Sequence, residues 1–311
     1  MGARATKHFL SDRSASSGGA GAGGSGNDSS ETVAKFTYAE GRRFHGTEDV
    51  PYFLPNDDEE ADRLHAQHFM LRAVVGGNYI TPLNNPRRVI DVGTGPGTWI
   101  MDMAVEFPEC DVLGVDITPM SESTVMPKNC RFGIMDVSKG LAFEDNAFDM
   151  VHDRFMSPAI KADYWAAHVV EMARVCKPGG VLELWETDAM LRNPGPNATV
   201  INDWFRRISS LGGIHMEKIW DLPEMLRAAG LVVESEERYE VPMGESMGPL
   251  GKIGWHDVST VIRGVQPKLV AAFKLTEEEI NERIVALKPE VNERRCYWQM
   301  KVFVARKPLA A

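Results

Sequence analysis

The sequence predicts an α/β protein with a doubly wound, mostly parallel sheet. Three observations carry this. After Pro86, short apolar segments alternate with amphipathic ones, the pattern of strands linked by crossover helices. The first apolar segment, Arg88 to Val92, runs straight into a glycine-rich turn at Gly93 to Gly97. At 311 residues, the chain is long enough for one large domain or two small ones with a sizeable core.

The elements follow in order. Residues 1–32 are rich in Gly, Ser and Ala and cannot bury enough apolar surface to offset chain entropy, so a disordered tail is expected. Within it, Met1-Gly2-Ala3-Arg4-Ala5-Thr6 fits the N-myristoylation pattern at Gly2, which would give only weak, reversible membrane attachment. Residues 33–86 form an N-terminal segment, irregular from Arg42 to Leu54 and then helical. Pro55-Asn56 supplies a break and a cap, and Asp57 to Glu60 place negative charge at the helix N-terminus, where the dipole favours it. Ala61, Leu64, His68, Leu71 and Val75 recur at helical spacing, and Gly76-Gly77-Asn78 ends the helix.

Residues 87–311 form the main domain. A helix from Trp99 to Glu106 follows the glycine turn. Strands are expected at Asp111 to Val115, Arg131 to Met135 and Phe148 to His152, each followed by an aspartate: Asp116, Asp136 and Asp153. Ala162 to Val175 reads as an amphipathic helix, Lys177 to Gly180 as a turn, and Val181 to Trp185 as a fifth strand. Pro223 to Ala229 is a helix, Leu231 to Tyr239 a strand, and Tyr297 to Ala305 alternates like a final strand. The variable segment 241–295 reads as helical, with a helix start at Thr276 to Glu279.

Composition excludes several classes. With 34 Lys and Arg against 44 Asp and Glu, the net charge of −10 argues against nucleic-acid binding, which uses a basic face. No apolar run approaches the roughly 18 residues of a membrane helix, and there is no secretory leader, so a soluble cytoplasmic protein is expected, with the nucleus as the alternative. Cys110, Cys130, Cys176 and Cys296 lack metal-site spacing and read as reduced thiols, so no metal is expected. Asn197-Ala198-Thr199 matches the glycosylation sequon but has no leader to make it meaningful.

The informative segment is Asp91-Val92-Gly93-Thr94-Gly95-Pro96-Gly97. Its glycines let the backbone turn tightly and approach a ligand. The G-x-G-x-G spacing departs from the dinucleotide fingerprint, whose third glycine would fall at Thr98, and the absence of Lys excludes a Walker A loop. Asp91 would repel a pyrophosphate but suits a cationic ligand. S-adenosylmethionine (SAM) carries a sulfonium and an ammonium and no phosphate, so Asp91, Gly93, Thr94, Gly95 and Gly97 are assigned to it, with S-adenosylhomocysteine (SAH) as product. Asp116, at the end of the second strand, can accept both ribose hydroxyl protons. Asp136 can accept from an adenine amino group, with Val137 as a backbone contact and Ile117 packing on the ring. Asp153 completes the series. Each aspartate alone also fits a turn cap.

With Gly114-Val115-Asp116 and Lys177-Pro178-Gly179-Gly180, the loop resembles that of class I SAM-dependent methyltransferases. Tyr52-Phe53-Leu54-Pro55-Asn56-Asp57, Glu60, Arg63-Leu64, His68, Phe107-Pro108, Phe148-Asp149 and Asp153-Arg154-Phe155-Met156 resemble the fungal LaeA-like, TAM-domain type. The likeness covers residues 45–190 well and the C-terminal half more loosely. Pro96 is a departure, since that family more often has Thr there, but proline is tolerated in the first turn of a helix, where it is expected to leave the geometry intact. The resemblance implies a Rossmann-like seven-stranded sheet with a final antiparallel strand, an N-terminal helical lid and a C-terminal substrate-side insertion. It also implies either an enzyme of fungal secondary metabolism or a regulator acting through protein partners.

Methyl transfer is an in-line displacement in which alignment does much of the work and a base is needed only for a poor nucleophile. His68, on the helix that in related enzymes folds over the cofactor, and His152, at the end of the fourth strand, are the catalytic candidates. Each also fits a packed core histidine. His215 and His256 stay unranked. Tyr52 can face a sulfonium with its ring. Trp204, Phe205, Trp220, Trp255, Met190, Met216, Met225, Met243 and Met247 enrich the C-terminal half in soft apolar groups, suiting either a core or a pocket for a small apolar or aromatic acceptor. A monomer or homodimer is expected.

Overall fold

The computed structural model describes residues 35–309 apart from 48 and 122. The Gly/Ser tail and the Gly2 pattern therefore lie outside the described residues. A hairpin, β1 (Phe36–Ala39) and β2 (Arg42–His45), comes first, so the stretch expected to be irregular from Arg42 begins as a strand. Helix α1 (Asp58–Val75) follows. Its cap is Asp57, whose carboxylate accepts the Glu60 N–H at 3.1 Å, and not Asn56. Asn56 is instead held by Arg43 and donates to Thr118, which ties this segment to the loop after the second sheet strand.

The main sheet has seven strands: β3 (Arg88–Val92), β4 (Asp111–Asp116), β5 (Cys130–Ile134), β6 (Phe148–Arg154), β7 (Cys176–Arg192), β8 (Val232–Pro242) and β9 (Tyr297–Arg306), in the order β5-β4-β3-β6-β7-β9-β8. The first five are parallel, and β9 runs antiparallel to both β7 and β8. This is the doubly wound sheet that the alternation predicts, with the antiparallel strand that the family resemblance implies.

The strands are apolar throughout because both faces are covered. Val89, Val112, Met150 and Val181 join one core with Met70 and Leu71 of α1 and with Trp99, Ile100 and Met103 of α2 (Thr98–Glu106). The residues one step along, Ile90, Leu113, Val151 and Leu182, join the other core. There they meet Trp165, Val169 and Met172 of α3 (Trp165–Val175) and Leu226 of α5 (Leu222–Ala228). Helices α4 (Pro196–Leu211), α6 (Gly248–Gly264), α7 (Gln266–Phe273) and α8 (Glu277–Glu293) extend the first core. The Thr276 start of α8 is a capping box with Glu279.

Two local expectations are corrected. Lys177 to Gly180 is not a turn before a strand: the chain stays in β7, and the extra residues form an irregularity in the pairing with β6 between Phe148 and Met150. Pro96 lies in the turn before α2 and not in its first turn, since Gly97, at φ 80°, is the cap residue. Helix α4 was not anticipated. Its Ala198, Ile201, Trp204, Phe205 and Ile208 are all buried, and Asn197 of the sequon is tied to Glu290 at 2.9 Å.

All four cysteines are free and buried. Among the described residues no helix is long and apolar enough to cross a membrane, and no cluster could hold a metal ion.

Candidate active site

A cavity of about 560 Å³ opens at the C-terminal ends of the parallel strands, a size that suits a cofactor and a small partner. Its floor is the glycine loop. Gly93 holds φ 73°, and a Cβ there would run into the Met156 sulfur, so the position requires glycine.

The loop's N–H groups are already in use. Gly93 and Thr94 both donate to the Val115 carbonyl, at 2.9 and 3.0 Å, Gly95 to Asp116 at 2.8 Å and Gly97 to Thr94 at 3.1 Å. Pro96 has no N–H to give. A diphosphate would therefore find no free backbone N–H in residues 93–97, and two carboxylates, Asp91 and Asp116, face the same cavity. The loop can offer acceptors to a cation, which fits SAM and not a dinucleotide.

Asp116 ends β4 with one oxygen accepting from Gly95 and the other from Thr118, each at 2.8 Å. This fixes the carboxylate while leaving lone pairs for ribose hydroxyls. Burial pushes its pKa up, the two backbone donors oppose that, and Asp91 adds to the rise. Asp136 is held by Ser138 and Lys139. Burial pushes its pKa up, but those donors outweigh it and keep the carboxyl below its ordinary value. Tyr52, Asp91, Gly93, Thr94, Gly95, Asp116, Ile117, Asp136 and Val137 all line the cavity.

The remaining predicted site residues do not. Gly97 sits behind the loop, where a Cβ would lie 2.8 Å from the Met120 methyl carbon. Asp153 is fully buried on the opposite face of the sheet, bonded to His168 of α3 at 2.7 Å, because alternate residues of a strand face opposite ways. His152 lies beneath the loop: its ring stacks on Trp99 at 4.0 Å and Nδ1 bonds Asp91 at 2.7 Å. It orients Asp91 and does not reach the cavity. His68, on the buried face of α1, lies between Asp102 and Arg154, and both ring nitrogens are engaged. Burial pushes its pKa down to about 4, and Arg154 adds to the drop. Neither histidine stands where it could take a proton from an acceptor in the cavity. His215 and His256 do not line the cavity either.

The roof comes from α1. Arg63 is buried and donates to Glu60 at 2.6 and 2.9 Å and to Asp257 of α6 at 2.5 Å, while Gln67 also donates to Asp257. Burial alone would lower the Arg63 pKa, but the two carboxylates reverse this and hold the guanidinium charged.

The far wall is apolar. Between Thr187 and Leu191 the pairing of β7 with β9 slips, and Ala189 takes φ 55°. This bulge turns Thr187, Ala189 and Leu191 toward the cavity, where Phe205, Met216 and Trp298 complete the wall. Of the Trp, Phe and Met residues singled out from the sequence, only Phe205 and Met216 reach it. Sequence reasoning missed Arg154, Phe155 and Thr187. Phe155 holds φ 55°, a strained conformation for a bulky residue and one that marks functional sites.

The fold is the Rossmann-like fold of class I SAM-dependent methyltransferases, with its cavity at the end of the sheet where a cofactor would lie. Residues 89–180 match the family model described as a methyltransferase domain. The chain is 34% identical over 166 residues to the secondary metabolism regulator laeA of Coprinopsis cinerea, a match covering 51% of this chain but only 41% of that one. It is 26% identical over 304 residues to the methyltransferase pytC of Aspergillus terreus, covering 90% of each chain. It is also 26% identical to the N-methyltransferase sirN of Leptosphaeria maculans, covering 84% of this chain and 98% of that one. These likenesses, to a methyltransferase domain over residues 89–180 and to LaeA-like proteins and methyltransferases along the chain, support a class I SAM-dependent methyltransferase of LaeA-like type.

Proposed function

We propose that this methyltransferase transfers the SAM methyl group to a small apolar or aromatic metabolite of fungal secondary metabolism, at oxygen, carboxylate or nitrogen, leaving SAH. The observation that carries the reading is the division of one cavity. A glycine loop with its backbone N–H groups spent and two acidic residues lines one side, and an apolar wall built on the β7 bulge lines the other.

In this reading SAM, when bound, supplies an electrophilic methyl on a sulfonium. Asp116 holds the ribose, Asp136 and Val137 the adenine, and the Tyr52 ring faces the positive charge. The apolar wall excludes water and aligns the acceptor, so that alignment supplies much of the acceleration. The likeness over 90% of pytC supports an enzyme. The 34% identity to a laeA regulator favours one second reading, a SAM-binding regulator that works through protein partners. We place the protein in the cytoplasm as a monomer or homodimer, binding neither nucleic acid nor metal.

Parallel calorimetric titrations with SAM, SAH and NAD test the cofactor. Binding of the first two without NAD is expected, and failure of the folded protein to bind SAM overturns the reading. Incubation with SAM and a panel of aromatic and amine metabolites, read by mass spectrometry, then separates the enzyme from the regulator.

A further inference from the structure

One polar group in the roof of the cavity has its orientation fixed by its partner. Gln67 of α1 is 6% exposed, and its amide nitrogen lies 3.3 and 3.1 Å from the two carboxylate oxygens of Asp257. A carboxylate only accepts, so the amide turns its NH2 toward Asp257 and its oxygen, Oε1, away from it. Arg63, which only donates, holds the same carboxylate from its other side.

Oε1 has no donor among the described residues. Nor is it sealed in the core: the fully buried polar atoms without a partner include Thr94 Oγ1 and Trp298 Nε1 but not this oxygen, and Gln67 lines the cavity. The oxygen therefore opens into it. Leu64, one turn back on α1, would lie 3.5 Å from a Cβ on Gly95, while Val258 and Val261, beside Asp257 on α6, line the cavity too. Gln67 thus stands where the glycine loop gives way to apolar lining.

Other polar groups here are committed or indifferent. Ser157 gives its hydroxyl proton to the Thr187 carbonyl, and Thr187 gives its own to the Gln299 carbonyl. The Tyr52 hydroxyl, unpartnered among the described residues, can donate or accept and so does not select. Arg154 would favour an anion, but His68 engages it and Asp91 and Asp102 both act on its charge. The bond to Asp257 polarises the Gln67 amide and strengthens its oxygen as an acceptor. Behind that oxygen two carboxylates, Glu60 and Asp257, face one guanidinium, Arg63. A ligand N–H or O–H is matched at this point, whereas a carboxylate meets lone pairs and surplus negative charge.

We infer that Gln67 is a specificity-determining residue for the methyl acceptor, its oxygen taking a hydrogen from the nucleophilic group. The acceptor is then an amine or a hydroxyl compound and not a carboxylate. The inference rests on the function proposed above and narrows it.

The test measures binding to the SAH-saturated protein by probes that share one apolar ring system: 2-naphthylamine, 2-naphthol and 2-naphthoate. Wild type is expected to bind the amine or the naphthol about tenfold or more tightly than the naphthoate, and the tighter of the two identifies the source of the hydrogen. Q67M keeps the volume and should weaken that probe by about 3- to 10-fold, with SAH affinity unchanged. D257N is the sharper variant. The new amide at position 257 keeps its oxygen on Arg63 and turns its NH2 to Gln67, which then presents its own NH2 to the cavity. The preference should shift toward naphthoate. In the double variant Q67M/D257N no such shift is expected, since no amide remains to turn, which separates reorientation from the mere loss of a charge.

Naphthoate binding wild type as tightly as the other probes, unchanged probe binding in Q67M, or a D257N shift that persists in the double variant overturns this inference and leaves the SAM reading standing. A fall in SAH affinity in Q67M as large as the fall for the probes overturns it by assigning the oxygen to the cofactor. Failure of every probe to bind the SAH complex overturns the apolar acceptor pocket, and failure of wild type to bind SAH overturns the cofactor reading; the inference falls with either.

Discussion

Removing Asp257 should unfasten the roof of the cavity in a way that can be graded. The carboxylate is 1% exposed and accepts from Arg63 and twice from Gln67. The cluster holds two carboxylates and one guanidinium, so it carries one surplus negative charge. Breaking a buried ion pair costs about 3–5 kcal/mol, chiefly through the charge left behind. D257A leaves Arg63 paired with Glu60 and removes the surplus, so its cost belongs near the lower end, about 3 kcal/mol. R63M strands two carboxylates together and belongs at about 5 kcal/mol. Replacing all three groups with apolar residues of similar volume should recover most of the loss, because no unpaired charge remains. Urea unfolding followed by tryptophan fluorescence measures each value by linear extrapolation. If D257A costs less than about 1 kcal/mol, or more than R63M, the charge-balance argument is wrong.

Three further outcomes follow from individual groups. D116N should lower SAM affinity by about tenfold or more, since the amide keeps one acceptor but faces the ribose with donors; calorimetry with SAM reads it directly. G254A should destabilise by about 3 kcal/mol, because its Cβ would run into the Pro242 carbonyl oxygen on rigid backbone, and a fall in melting temperature would report this. Stability should also decline as pH falls from about 6.5 toward 4. His68 is held near 4 by burial and by Arg154, against Asp102, which draws it up, while an unfolded histidine titrates near 6.5. In that window the unfolded chain binds the extra proton, so acid favours unfolding by at most about 1.4 kcal/mol per pH unit. H68Q should flatten the slope by that one proton in denaturation curves taken across the window.

The parts of the site made from contiguous residues were legible in the sequence. The loop from Asp91 to Gly97, the acids Asp116 and Asp136, and the succession of strands and helices along the chain all follow from local spacing. Tyr52 was legible too, as part of a motif beside the first helix. What failed was the direction of side chains. His152 and Asp153 are neighbours on one strand, so one points beneath the loop and the other to α3, and neither enters the cavity. His68 lies on the buried face of its helix as expected, yet nothing in its spacing reveals that both nitrogens are bound. Arg154 was present in the quoted motif, but its contact with His68 is a fact of three dimensions. The apolar wall was least legible, since Thr187, Phe205, Met216 and Trp298 come from four distant segments. Only Phe205 and Met216 could be nominated, and then only by their type.

The position of β9 bears on how the protein is made. It is threaded between β7 and β8, and β8 has no other partner in the sheet. While a ribosome is still adding the residues after Pro242, β8 has no strand beside it and the inner edge of β7 stays open. Closure of the sheet therefore waits for Tyr297–Arg306 to emerge. A premature stop anywhere upstream of that segment removes the contribution of two strands instead of one, and exposes a long apolar edge to aggregation.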